Sequence, residues 1–128
     1  MQAIQFFMFF EAAAFIAAAL THFGLLIDGY GHQKAGIAES VIAAVLLVGL
    51  ALTWIRPGST HGAGLAAQTF ALLGTLVGIF TIAIGVGPRT VPDIVYHIAM
   101  VAVLIFGLIL TVRARKSSHR SPTPALDL

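Results

Sequence analysis

Four apolar stretches, each long enough to cross a bilayer and separated by a few turn-forming residues, leave this chain little choice of fold. Hydrocarbon offers no partner to an open backbone N–H or C=O, so a crossing segment must satisfy its own backbone, which takes a helix of about 20 apolar residues. The stretches cover residues 5–27, 36–55, 64–86 and 91–112. Asp28-Gly29-Tyr30-Gly31-His32, Arg56-Pro57-Gly58-Ser59 and Gly87-Pro88 supply the breaks, where glycine and proline cannot continue a helix cheaply. Connections this short make consecutive helices antiparallel neighbours. The expected fold is all-α: an integral membrane four-helix bundle of two antiparallel helical hairpins over residues 1–112, with a basic, disordered cytoplasmic tail at 113–128.

Composition narrows the function classes. With 59% hydrophobic and 9% charged residues, the 128-residue chain lacks the polar surface of a soluble domain of its size. The four spans use up most of the length, so function must lie within or between the helices. The absence of cysteine removes disulfide, thiolate-metal and iron–sulfur chemistry. The N-terminal stretch has no basic leader and carries Glu11 inside it, which fits a retained span better than a cleaved signal.

Charge sets the expected orientation. Arg56, Arg113, Arg115, Lys116 and Arg120 fall on one side of the bundle, against Lys34 and Arg89 on the other. Because cytoplasmic flanks of spans are enriched in Lys and Arg, five against two places both termini in the cytoplasm of a cell membrane. The basic run is followed by Ser117-Ser118-His119-Arg120-Ser121-Pro122-Thr123-Pro124, a solvated tail rather than a base-stacking surface, so no nucleic-acid partner is expected.

A weak internal repeat is visible. Ala44-Val45-Leu46, Gly49-Leu50 and Leu52-Thr53 recur 58 residues later as Ala102-Val103-Leu104, Gly107-Leu108 and Leu110-Thr111, a register that aligns Glu39 with His97. Two parallel hairpins about an axis along the membrane normal would bring equivalent residues face to face.

The candidate site follows from depth. At 1.5 Å per residue, His22, Glu39, Thr81 and His97 each lie roughly 5 to 9 Å inside the same end of their spans. Polar groups in hydrocarbon are costly and mark ligand, proton or cofactor sites. Two imidazoles and a carboxylate suit a divalent transition metal held by His22, Glu39 and His97, and the histidines alone suit the axial positions of haem b. Asp93, one turn before His97, would orient its ring; Thr90-Val91-Pro92-Asp93 also reads as a capping box. Thr81 would assist. His32 reads as a solvated turn residue beside this layer, and His61 lies at the opposite end.

Glu11 stands apart. It is 11 residues before His22, which places the two within about 20° on one helix face. With Thr21, Gln68 and Thr75 as relays, it would form the other half of a proton path. Gly74 and Gly78 form a GxxxG pair, and Ala13 and Ala17 a similar one, both permitting close helix approach within the chain or between copies in a homo-oligomer or larger membrane complex. The phenylalanines read as lipid-facing, and Trp54 as an interfacial anchor.

Three function classes follow. The first is a metal- or haem-binding accessory of electron transfer or quinone chemistry. The second is a small proton-coupled transporter using Glu11, and the third a structural or assembly subunit whose polar layer fixes helix register.

Overall fold

The computed structural model describes the backbone of residues 1–118 and the side chains of residues 1–115. Four long helices account for the described chain: α1 Gln2–His22, α2 Gln33–Ile55, α3 Thr60–Ala83 and α4 Val91–Ser118, with a 3₁₀ turn at Pro57–Ser59 between α2 and α3. Each is long and apolar enough to cross a membrane. Large apolar side chains stand exposed on every helix, among them Phe6, Val48, Val77 and Ile98, as expected where lipid rather than water is the solvent. Trp54 is exposed at the end of α2.

Side-chain bonds fix the packing. Gln5 near the start of α1 donates to Thr53 near the end of α2 at 3.1 Å, while His22 at the end of α1 meets Glu39 near the start of α2. The two helices are therefore antiparallel. Gln68 of α3 likewise meets Thr111 of α4, and the bundle has a turn end, with the α1–α2 and α3–α4 connections, and a tail end, with residue 1 and the end of α4. A core of Ile4, Met8, Phe15, Leu46, Ala71 and Leu104 runs between the ends.

Helix ends depart from the apolar limits read in the sequence. α1 stops at His22 rather than continuing to residue 27, because Gly24 takes φ 74° and closes a Schellman cap in which the Leu25 N–H reaches the Leu20 carbonyl. α3 stops at Ala83 in the same way, with Gly85 at φ 84° and the Val86 N–H on the Thr81 carbonyl. Leu25-Leu26-Ile27 and Val86 keep hydropathy high beyond both caps and conceal them. Four further limits move outward: α1 starts at Gln2, α2 at Gln33 and α3 at Thr60, and α4 runs past Val112 to Ser118, so that helix includes the first residues of the expected tail. Residues 119–128 of that tail lie outside the described residues.

The 58-residue register pairs positions of matching burial: Glu39 with His97, Ile42 with Met100, Leu46 with Leu104 and Thr53 with Thr111 are all buried. Both α2 and α4 therefore turn the same face of the repeated motif inward. The GxxxG glycines serve packing within the chain, Gly74 against Ile42 and Gly78 against His97, whereas Ala13 and Ala17 are exposed.

Candidate functional site

His22 ends α1 and is drawn into the bundle by carboxylates from two other helices. Its Nδ1 lies 2.7 Å from Glu39 Oε2 on α2, and its Nε2 lies 2.9 Å from Asp93 Oδ1 on α4. All three side chains are buried. A buried charge is tolerated where it is paired and hydrogen-bonded, and here one imidazole pairs with two acids. Three helices are thus tied at one depth by a single ring.

The hydrogen bonds set the smallest number of protons the triad can hold. Each His22 contact joins a ring nitrogen to a carboxylate oxygen and needs one proton, whichever atom holds it. Two protons shared among one imidazole and two carboxylates leave a net charge of −1. Glu39 Oε1 is buried and has no partner, the one such side-chain atom among the described residues. The triad therefore has unmet capacity for one positive charge, and an acceptor oxygen to receive it.

Asp93 serves twice, and here an expectation is corrected. Its Oδ2 accepts from the Thr90 N–H and from the Thr90 hydroxyl, while its own N–H meets Thr90 Oγ1 at 3.3 Å, so the capping box is present. Its other oxygen goes to His22, not to His97. Nδ1 of His97 instead donates to the Asp93 backbone carbonyl at 2.7 Å, an i to i−4 contact along α4. Because a carbonyl only accepts, Nδ1 carries the hydrogen, and Nε2 of the neutral ring is an acceptor. That nitrogen lies against Gly78 of α3, where a Cβ would sit 2.7 Å from it.

A cavity of about 220 Å³ opens beside the triad at the turn end. Phe15, Glu39, Ile42, Thr75, Gly78 and His97 form its walls, and Thr81, His32, Lys34 and Gly87-Pro88 lie around it. The four residues first read as one layer separate into two roles. His22 and Glu39 touch, whereas His97 and Thr81 line the cavity that Glu39 also lines. Thr81 donates to the Gly78 carbonyl and keeps its oxygen lone pairs. His32, read as a solvated turn residue, caps α2 by accepting from the Ala35 N–H at 3.2 Å.

The donors are arranged poorly for a metal or haem iron. Both nitrogens of His22 are held by carboxylates and Nδ1 of His97 by a carbonyl, which leaves Nε2 of His97 as the one nitrogen of these two rings without a bond. Among the described residues no group of three or more His, Asp or Glu side chains is placed to hold a metal ion.

A second polar cluster lies deeper toward the tail end. Glu11 is wholly buried, and both its oxygens face Gln68 Nε2, at 3.1 and 3.2 Å. Gln68 Oε1 accepts from the Thr111 hydroxyl at 2.8 Å, which orients the amide so that its N–H points to Glu11. Gly107 of α4 makes the room: a Cβ there would lie 2.5 Å from Gln68 Nε2 and 2.6 Å from Glu11 Oε1. Apolar residues, with Phe15 among them, separate Glu11 from His22 along α1. Of the proposed relays, Gln68 meets Glu11 directly, Thr75 lines the cavity while donating to Ala71, and Thr21 bonds its own helix at Ala17.

Sequence reasoning did not assign the two glycines that make the sites fit. Gly78 was visible in the GxxxG pair and Gly107 in the repeated motif, but nothing in either pattern names the side chain that needs the space. No protein-family model, curated protein or solved structure matches this chain.

Proposed function

We propose that this chain is a small proton-coupled membrane transporter in which the His22–Glu39–Asp93 triad exchanges a proton for cargo. The observation that carries the reading is one imidazole held between two buried carboxylates, with an unpartnered Glu39 oxygen beside it, inside four apolar helices; with only its two hydrogen-bonding protons that group carries −1. A site of that kind is neutralised by one proton or by one bound positive group, and competition between them is the coupling that exchange requires. Glu11 supplies a second buried ionisable group on the same helix, at roughly 16 Å along the axis. Apolar side chains between the two sites favour access to each in turn over a continuous proton wire.

The metal- or haem-binding reading has weaker support, since it requires His22 to leave at least one carboxylate before it can ligate. Elemental analysis and an absorption spectrum of detergent-purified protein check that directly.

The transport reading is tested in inverted membrane vesicles that hold an acid interior, followed with a pH-gradient dye. A mixed pool of small cationic, anionic and neutral solutes should collapse the gradient in wild-type vesicles, and the collapse should be lost in both His22→Gln and Glu11→Gln. The absence of any collapse in wild-type vesicles, or a collapse in either variant as large as that of wild type, overturns the reading.

A further inference from the structure

The inner wall of the cavity beside the triad presents acceptors, and the free donors of the lining, the Lys34 ammonium and the His32 Nε2–H left by the bond to Ala35, come from the turn and the first residues of α2. Glu39 Oε1 is buried without a partner in a side chain only 6% exposed, and Nε2 of the neutral His97 ring offers a lone pair. The hydroxyls of Thr75 and Thr81 have already given their hydrogens to the Ala71 and Gly78 carbonyls, which leaves their oxygens to accept. Such a lining calls for a ligand rich in N–H or O–H donors. The adjoining charge of −1 asks for a positive one, and the apolar walls from Phe15 and Ile42 ask for a hydrocarbon body. At about 220 Å³ the space is smaller than the roughly 300–1,000 Å³ of pockets for drug-sized ligands.

We propose that this cavity binds a small primary amine in its ammonium form, with Glu39 as counter-ion and His97 Nε2 as a second acceptor. The proposal deepens the transport reading, on which it rests for what the site is for, by naming the class of cargo. A bare metal ion fits less well, because no third His, Asp or Glu donor converges there among the described residues. The ionisable groups around Glu39 are His22 from α1, Asp93, Tyr96 and His97 from α4, His32 in the turn and Lys34 on α2, while α3 lines the cavity with none. Lys34 is the opposing charge. It is exposed at the rim, where its ammonium opposes entry of a cation more than binding at Glu39.

Calorimetric titration of the detergent-purified full chain tests the proposal, with benzylammonium, benzyl alcohol and benzoate as probes of one shape and three charges. Benzylammonium should bind at least about tenfold more tightly than the other two, since only it meets both the charge and the acceptors. Its affinity should fall as pH is lowered, toward about tenfold per pH unit, the limit for one displaced proton. Glu39→Gln should abolish binding. Should that variant fail to fold, Ala38→Trp at the exposed rim, which leaves the triad untouched, should abolish it by closing the cavity. Lys34→Gln should bind more tightly than wild type.

Equal binding of benzyl alcohol, preference for benzoate, or benzylammonium binding unchanged by both Glu39→Gln and Ala38→Trp overturns the proposal. Failure here with gradient collapse intact in vesicles sinks the amine assignment alone. Binding here without gradient collapse sinks the coupling alone.

Discussion

Asp93 divides its work between its two oxygens, one closing the first turn of α4 and one holding His22. Asp93→Asn keeps an acceptor for the Thr90 N–H and loses the anion facing His22, whereas Asp93→Ala loses both. Unfolding in detergent–denaturant mixtures should therefore rank wild type above Asp93→Asn and Asp93→Ala last. The step to Ala should cost about 1 kcal/mol for the cap alone. Equal stability of the two variants would mean that the cap contributes nothing. Gly107 offers a sharper case: Gly107→Ala places a methyl within 2.6 Å of Glu11 and Gln68, so the amide must swing away. The variant should lose the Gln68 bond and resemble Gln68→Ala in stability, and the double variant should cost little more than either single one. The Thr90–Asp93 cap was legible because it depends on spacing along one helix. The bond from Asp93 to His22 was not, because it depends on how α1 and α4 are rotated against each other, and nearly uniform apolar composition carries no record of rotation.

At the scale of the helices, hydropathy located every span and misplaced the ends that matter most. α1 and α3 both finish with a left-handed glycine whose neighbours are apolar, so the stop is a matter of backbone conformation rather than polarity. Ending α1 at His22 puts the imidazole on the last helical residue, level with the early turns of α2 and α4, instead of deep inside a longer helix. Nothing crowds Gly24, so Gly24→Ala tests conformation alone. It should destabilise by roughly 1–2 kcal/mol in a denaturant titration, the cost of a left-handed residue with a Cβ. A loss below a few tenths would show that this cap is readily remodelled.

For the molecule as a whole, the cysteine-free sequence makes sidedness easy to test. Single cysteines at Lys34 and Arg115, at the turn and tail ends, should react with a membrane-impermeant maleimide from opposite faces, Lys34→Cys from outside intact cells. Labelling of Arg115→Cys instead would reverse the orientation. The triad binds α1, α2 and α4 to one another, and α3 contributes no side chain to it. Near the tail end, Gln68 fastens α3 to both α1 and α4. Toward the turn end, no side-chain bond among the described residues joins α3 to another helix, and its close contacts there run through Gly74 and Gly78. Mechanically, α3 resembles a lever with its fulcrum at Gln68, and the arm that walls the cavity is tethered at its tip by Arg89 of the following loop, which donates to the Ile82 and Ala83 carbonyls. Spin labels at Phe80 and Val41 should therefore report a broader distance distribution than a pair at Leu65 and Leu52, on the fastened side of the fulcrum.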